Sequence, residues 1–389
     1  MKKKIAILGS TGSIGSTVLN IIKKNEFEII FLSTNKNYKK LLRQARIFKV
    51  KNLIVTDPVS YKNAIKNKIN NKINIYNNFD IFDSVIKKKL DYVMSSISGL
   101  DGLYPTFNII KFTKKIAIAN KESIICAWPL LKKELDKNNT EFIPVDSEHF
   151  SLWQEIKEID PKTIKKVYLT ASGGPLLNYD IKLFNKIKLT NILKHPTWKM
   201  GKKISIDSAT MMNKCYEIIE AKNIFQLDYK KIDILIQPDS YVHAIVLYNN
   251  GFLKMILHDT TMEIPIFNSI YSKGANYNKL KNLNIKKLNN LKLQNVETKR
   301  YPIIEVLKMI PDNYSLFETV ITTINDEIVN KFLNKKISFN DISSFVIKFL
   351  KNKKLHKYKA KQPRNLKEIL DLNSEIKLKI SKLSFKKFI

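Results

Sequence analysis

The first 145 residues alternate short, continuous apolar runs with stretches whose apolar side chains recur every three or four positions. Ile5-Ala6-Ile7-Leu8, Phe27 to Leu32, Leu53-Ile54-Val55, Ile73 to Ile75, Tyr92-Val93-Met94, Ile116-Ala117-Ile118-Ala119 and Phe142-Ile143-Pro144-Val145 read as strands. A strand that is apolar at consecutive positions is covered on both faces, and the intervening helical patterns supply the cover. This alternation predicts an α/β fold on a parallel, doubly wound sheet. Gly9 to Gly15 follows the first strand and leads into a helix with Val18, Leu19, Ile21 and Ile22 inward.

Beyond residue 150 the pattern changes. Residues 151–278 mix helical and strand-like stretches with Gly- and Pro-bearing loops at 172–175 and 195–201, which predicts an α+β second domain with a flexible loop over 195–205. Lys279 to Lys299 is polar and rich in Asn and Lys, and reads as a connector. From 300 to 389 apolar residues return at helical spacing (Ile303, Ile304, Val306, Leu307; Ile324, Ile328, Phe332; Ile342, Phe345, Val346, Phe349) and predict a small helical domain. No apolar run approaches the roughly 20 residues that span a bilayer, so no membrane partner is expected.

The formal net charge of +33 raises a nucleic-acid reading. The residue types oppose it. Only Arg43, Arg46, Arg300 and Arg364 are arginines, while the lysines are spread along the whole chain. Phosphate forks and base readout favour Arg. A compositional bias toward Lys, Asn and Ile accounts for the charge, and tracts such as Lys62 to Lys72 and Lys351 to Lys361 read as solvated faces. Two cysteines, Cys126 and Cys215, fit a reducing compartment, and the start at Met1-Lys2-Lys3-Lys4 runs straight into a strand; the expected location is the cytoplasm.

Glycines at 9, 12 and 15 stand between a strand and a helix, where the backbone can approach a pyrophosphate and the helix start favours an anion. A tight turn without a ligand gives the same spacing. The end of the second strand bears on the cofactor. NAD sites place an acid there; this chain has Ser33-Thr34-Asn35-Lys36-Asn37, then Lys39 and Lys40. The missing acid and the lysines favour the 2′-phosphate of NADP. Residues 1–150 are thereby expected to form a Rossmann-like nucleotide domain.

Asp146-Ser147-Glu148-His149 follows the seventh strand. Read as extended chain, its two acids point to the same side and suit one hard cation. Asp207-Ser208 reads as the start of a helix, suited to capping or to an anion. Thr210, Asn213, Lys214, Glu217 and Glu220 then fall on one face, which is either a solvated polar face or a site where Lys214 meets a phosphate and Glu217 adds a third carboxylate. Oxygen ligands alone suit Mg²⁺ or Mn²⁺, with Co²⁺ a further candidate, rather than Zn²⁺. His149 is a partner of the acids or a structural histidine, and His243 packs in a strand.

Six stretches stand in order: G-S-T-G-S-I-G at 9–15, A-N-K-E-S at 119–123, P-V-D-S-E-H at 144–149, S-G-G-P at 172–175, H-P-x-W-x-M-G at 195–201 and K-I-S-x-D-S-A-T-M-M-N-K at 203–214. Together they resemble the 1-deoxy-D-xylulose 5-phosphate reductoisomerase family, which makes 2-C-methyl-D-erythritol 4-phosphate in non-mevalonate isoprenoid synthesis. The resemblance is dense over 1–262 and weaker beyond. It implies NADPH on Thr11, Gly12, Ser13 and Ile14, with Lys36 and Asn37 near the 2′-phosphate and Asn120, Glu122 and Gly201 further along. It implies a metal on Asp146, Glu148 and Glu217. Substrate phosphate would meet Ser172, Ser208, Asn213 and Lys214, and Lys121, Ser147 and Glu148 would meet the reacting carbons and their hydroxyls. His195, Trp198 and Met200 would close over the substrate, with His195, Lys121 and the three acids as catalytic residues. The small phosphorylated sugar would rearrange, by cleavage and re-addition or by direct migration, and then accept hydride. A homodimer is also implied.

The chain departs from the family pattern at Asn35 and Cys215, where glycines are usual, and at Gln237, where a histidine is usual. Thr260 to Pro265 replaces a P-D-M-R-T-P-like stretch, and Tyr271 to Gly274 replaces a W-P-N-R-like one. Two other readings remain: a different NADP-linked dehydrogenase acting on a phosphorylated metabolite, and a basic nucleic-acid-binding protein on a relic nucleotide fold.

Overall fold

A computed structural model describes residues 2–68, 71–194, 198, 200–271, 275–277 and 282–382. The chain divides into two compact units, one of residues 1–123, 129–150 and 262–280, the other of 124–128, 151–261 and 281–389.

The first unit holds seven strands: β1 (Lys3–Leu8), β2 (Phe27–Thr34), β3 (Asn52–Val55), β4 (Asn74–Tyr76), β5 (Tyr92–Ser95), β6 (Lys115–Ile118) and β7 (Glu141–Pro144). All pair in parallel, in the order β4-β3-β2-β1-β5-β6-β7. Every strand expected in this region is present. The continuous apolar runs have the predicted cause, since Ile5 to Leu8 are fully buried. Chain order reverses between β1 and β5, the place where sheets of this kind bind ligands. The helices are α1 (Ser13–Ile21), α2 (Tyr38–Phe48), α3 (Pro58–Lys66), α4 (Phe82–Val85), α5 (Leu103–Ile109), α6 (Lys121–Lys137) and the first turn of α7 (Ser147–Ile156). A helix from later in the chain, Glu263–Ile270 (α11 in chain order), packs on α1. Tyr92 Oη pairs with Ser269 Oγ at 2.8 Å, and Tyr271 Oη accepts from Lys23 N at 3.2 Å.

The second unit has a mixed sheet of β8 (Ile164–Ala171), β9 (Ile232–Ile236), β10 (Val242–Tyr248), β11 (Leu253–Leu257) and β12 (Gln294–Asn295), in the order β11-β10-β8-β9-β12. Its helices are α8 (Leu189–Ile192), α9 (Lys202–Thr210), α10 (Met212–Phe225), α12 (Ile285–Asn289), α13 (Phe317–Leu333), α14 (Phe339–Leu350) and α15 (Leu366–Ser381). The helical C-terminal pattern is borne out: Ile324, Ile328, Ile342 and Val346 form its core with Ile369 and Ile376.

Four sequence expectations need correction. The Asp146–Glu148 segment is not extended. The chain enters α7 at Ser147, because the Asp146 carbonyl accepts the helix's first hydrogen bond from Phe150 N at 2.7 Å. Asp207 and Ser208 do not start a helix but lie inside α9; the break comes at Met211, whose φ of 74° ends one helix and begins the next. Residues 202–205, expected in the flexible loop, are helical, since Gly201 already caps α9 through Ser205 N. The stretch expected as a connector supplies α12 and the edge strand β12, paired with β9. Among the described residues no helix is long and apolar enough to cross a membrane.

At the start of α13, Glu318 is fully buried and accepts from Ser315 Oγ at 2.7 Å. Burial pushes its pKa up to about 7. Burial likewise raises Glu155 to about 8, against the opposing Ile256 N–H and Lys254. Both folded values exceed the unfolded value of 4.5, so the stability these groups confer is present below that pH and lost as pH rises toward 8. Glu318→Gln should flatten the part of this decline below about pH 7 by up to about 3 kcal/mol. Thermal melts across this range check it; an unchanged slope would mean that Glu318 is ionised in the fold.

Candidate active site

The glycine turn joins β1 to α1. A Cβ on Gly15 would lie 2.5 Å from the Gly9 carbonyl oxygen, so only glycine lets the turn close this tightly. The N-cap of α1 is Gly12, and no side chain caps the helix. The first-turn N–H groups, on Ser13 and Ile14 among others, are left to an anion. Thr11 Oγ1 sits 2.6 Å from Thr34 Oγ1, which ties the turn to the end of β2. Asn37 caps α2, accepting from Lys40 N at 3.2 Å, and Lys36 is exposed.

Two helix starts at the far strand ends carry the next group. Asn120 caps α6, accepting from Ser123 N at 2.6 Å and donating to the Gly99 carbonyl at 2.8 Å. This seats Lys121 and the buried Glu122 in the first turn. Lys121 Nζ lies 2.9 Å from Asp146 Oδ2, and His149 Nδ1 lies 3.7 Å from the same oxygen. Burial alone would raise the Asp146 pKa, but Lys121 and His149 overrule it and hold the carboxyl well below the usual range. Carboxylate oxygens of Asp146 and Glu148 come within 4.8 Å of one another, despite the helical backbone. Ser147 Oγ donates to Glu148 Oε2 at 2.5 Å.

In the second unit the Gly-Gly turn, α9 and α10 meet. A Cβ on Gly174, where φ is 68°, would lie 2.7 Å from the Ser208 carbonyl oxygen. The turn therefore lies flat against the end of α9 that carries Ser208. Ser172 Oγ accepts from Gly174 N at 3.0 Å. On α10, Lys214 and Glu217 are 3% and 1% exposed and pair with each other, and Asn213 also donates to Glu217. Lys214 Nζ further donates to the Thr170 carbonyl at 2.5 Å. The polar face of α10 is thus buried rather than solvated, and Glu220 is buried with it. Trp198 meets the His243 ring edge-on at 6.3 Å, and His243, in β10 as expected, stacks on His258 at 3.7 Å. Met200 is half-buried. His195 lies outside the described residues.

Spacing did not point to the groups that brace this arrangement. Tyr301 Oη donates to the Gly173 carbonyl at 2.7 Å, from a residue that is itself 1% exposed. Asp207, read as a cap, accepts from Asn325 Nδ2 at 2.8 Å and pairs with Lys203 at 2.9 Å. Lys203 also reaches Asp326 at 3.0 Å. Tyr301 and Asn325 lie 128 and 118 residues downstream of their partners, which no local pattern encodes.

Sequence profiles described as 1-deoxy-D-xylulose 5-phosphate reductoisomerase and as its C-terminal domain match residues 5–128 and 142–225; another, described as DXP reductoisomerase C-terminal domain, matches 257–379. The 1-deoxy-D-xylulose 5-phosphate reductoisomerase of Pelagibacter ubique is 54% identical over 386 residues, covering 98% of this chain and 100% of that one. The chain belongs to the 1-deoxy-D-xylulose 5-phosphate reductoisomerase family. The Wolbachia pipientis wMel reductoisomerase is 38% identical, covering 88% of this chain and 89% of its own. Among solved structures, the Zymomonas mobilis reductoisomerase in complex with NADPH superposes with a TM-score of 0.85 at 28% identity, over 98% of both chains. A DOX-P reductoisomerase in complex with NADPH, fosmidomycin and magnesium gives 0.89 at 29% identity, over 97% of both.

The departures from the reductoisomerase pattern are accommodated locally. Asn35 does not take a left-handed φ, and its Nδ2 donates to Thr56 Oγ1 at 2.9 Å. Cys215 is buried in the first turn of α10, where burial pushes its thiol pKa up. Gln237 is buried and accepts from Tyr241 N at 2.6 Å. Thr260 Oγ1 donates to the Asp239 carbonyl at 3.1 Å, and Glu263 accepts from Tyr277 Oη at 2.8 Å. Residues 272–274 lie outside the described ones.

Two glycines of the reductoisomerase motifs should respond differently to alanine. Gly174→Ala adds a clash and a left-handed alanine, and should destabilise by about 1–3 kcal/mol. Among the described residues a Cβ on Gly201 meets nothing within 4 Å, so Gly201→Ala should lower the melting temperature far less than Gly174→Ala, by no more than the lost N-cap preference of glycine over alanine. Paired thermal melts test the contrast.

Proposed function

We propose that Asp146, Glu148 and Glu217 hold the divalent metal of this reductoisomerase, and that Ser172, Ser208, Asn213 and Lys214 hold the substrate phosphate. The enzyme converts 1-deoxy-D-xylulose 5-phosphate to 2-C-methyl-D-erythritol 4-phosphate with NADPH and a divalent cation, Mg²⁺ or Mn²⁺. The convergence of the Asp146 and Glu148 oxygens within 4.8 Å, with the Lys121 ammonium 2.9 Å from Asp146, carries the reading. All-oxygen donors fit a hard cation. The uncapped start of α1 and the close-packed glycine turn fit a dinucleotide.

When bound, the metal supplies Lewis acidity at the ketone and hydroxyl oxygens and the nicotinamide supplies the hydride. The chain's own groups do the rest. Lys121 and Ser147, seated at two helix starts, orient the reacting carbons and their oxygens, and the Lys121 ammonium balances charge developing there. With both groups bound, Lys214 would hold the phosphate and Glu217 the metal, so neither member of the buried pair would be left without an opposite charge. The phosphate handle supplies remote binding energy for orientation. His195, Trp198 and Met200 close over the substrate, and Gly201, Asn120 and Glu122 border the cofactor with Thr11, Gly12, Ser13, Ile14, Lys36 and Asn37. In these terms residues 1–150 carry most of the cofactor groups and two of the three metal ligands, and 151–278 carry Glu217 and most of the substrate groups. Two buried cysteines outside any disulfide, Cys126 and Cys215, fit the cytoplasm.

A second copy of the chain is the macromolecular partner we read. Strand β11 ends its sheet, and its flank exposes Phe252, Leu253 and Met255. Apolar side chains on an unpaired edge favour strand-to-strand pairing. Leu253→Glu should convert a dimer to a monomer by light scattering; an unaltered mass would place the contact elsewhere.

NADPH oxidation should require both the sugar phosphate and Mg²⁺ or Mn²⁺, and unimpaired turnover in excess chelator would overturn the metal role. Glu217→Gln should cut turnover by at least about a hundredfold, as expected where a metal ligand stabilises developing charge. Its dissociation constant for NADPH should stay unchanged; loss of NADPH binding would make Glu217 structural.

A further inference from the structure

Four side chains at and after the end of β2 sit where dinucleotide sites usually carry an acid, and each is engaged in the protein's own bonding. Ser33 Oγ accepts from Gly9 N at 2.8 Å, and Thr34 Oγ1 pairs with Thr11 Oγ1 at 2.6 Å. Asn35 donates to Thr56, and Asn37 caps α2. Lys36 is exposed, and its charge acts on Asp57, whose pKa is lowered mainly by the Ser60 N–H and in smaller part by Lys36. Lys39 is exposed on the outer face of α2 beside Arg43 and Arg46, along a surface cleft.

Lys40 is placed differently. It and Gln44, one turn apart, form the edge of α2 that grips the glycine turn. Gln44 Nε2 donates to the Ser10 carbonyl at 2.9 Å, and Gln44 Oε1 accepts from Ser10 Oγ at 2.8 Å. Lys40 Nζ donates to the Thr11 carbonyl at 2.8 Å and to Ser16 Oγ at 2.7 Å. The ammonium is half-buried, and both of these partners are neutral. Among the described residues no carboxylate forms an ion pair with it, and neither α1 nor α2 has an acid in its first turn. An ammonium has three N–H donors; two are used here and one remains. A fixed, partly desolvated cation with an unused donor, beside the residues that start α1, wants an anion.

We propose that Lys40, rather than Lys36, is the residue that selects the 2′-phosphate of NADPH over the bare ribose hydroxyl of NADH. The proposal rests on the glycine turn being the cofactor site. Because Thr11 and Ser16 already fix the ammonium, little side-chain freedom is lost on binding. An exposed lysine such as Lys36 has that freedom to lose and is screened by water.

Dissociation constants measured by calorimetry on the full chain, without substrate or metal, test this for NADPH, NADH and 2′,5′-ADP. Lys40→Met should weaken NADPH and 2′,5′-ADP by at least about tenfold, the loss of one charge-assisted hydrogen bond, and leave NADH within about twofold. Lys40→Arg should retain the preference, and Lys36→Met should reduce it by less than Lys40→Met does. Equal losses for NADPH and NADH would overturn the proposal, because Lys40 would then merely hold the turn together. Loss of the preference in Lys36→Met with Lys40→Met unaffected would overturn it in favour of Lys36. If the unaltered chain bound neither dinucleotide, the cofactor reading itself would fall, and the proposal with it.

Discussion

A lysine and a glutamate one turn apart on α10 are almost completely removed from water and satisfy each other. A single buried charge would cost several kcal/mol, so neither can be understood alone. Their pairing lets a helix with polar residues on one side and Met212, Tyr216 and Ile219 around the rest be buried on every face. The Lys214 bond to the Thr170 carbonyl then fixes α10 against the end of β8, and Ser172 follows two residues later. The order of the second unit's polar groups depends on this arrangement: strand end, Gly-Gly turn, lysine and acid are placed by one buried charge balance.

Helix starts differ in how their first-turn donors are met. Those of α2, α3 and α6 carry Asn or Asp caps that accept backbone N–H groups. Those of α1 and α9 are capped by Gly12 and Gly201 with no side chain to accept. Side-chain caps satisfy the first-turn donors and close the helix end electrostatically. Glycine leaves those donors and the positive end of the dipole facing outward.

The parallel sheet was legible because burial on both faces leaves an unbroken apolar run, as in Ile5 to Leu8 and Ile116 to Ile118. The helical tail was legible from its 3.6-residue period. The candidate site residues stood out as ordered motifs, but their backbone conformation did not. Asp146 and Glu148 looked extended because two-residue spacing is the signature of a strand, yet a carbonyl bond from Phe150 turned the segment helical. Asp207 looked like a cap because Asp commonly caps; in the fold it answers Asn325, 118 residues away. Glu217 and Lys214 looked like a possible solvated face because polar residues at helical spacing usually are one, and only tertiary packing reveals that they are buried. Tyr301 gave no local signal, since its role is a single bond to a carbonyl 128 residues earlier.

Met211 joins α9 to α10 in the left-handed region although it is not glycine, and it is 2% exposed. Its N–H bonds back to the Ser208 carbonyl at 3.2 Å, and its carbonyl accepts from Lys214 and Cys215 N–H groups at 3.1 and 3.2 Å. A left-handed methionine costs on the order of 1 kcal/mol, and buried packing on both sides holds it there. The joint is therefore an elbow set in place rather than a hinge. Ser208 before it and Glu217 after it are therefore held at a backbone separation set by this joint. On the roles proposed for Ser208 and Glu217, the elbow acts as a ruler between the two ends of the substrate.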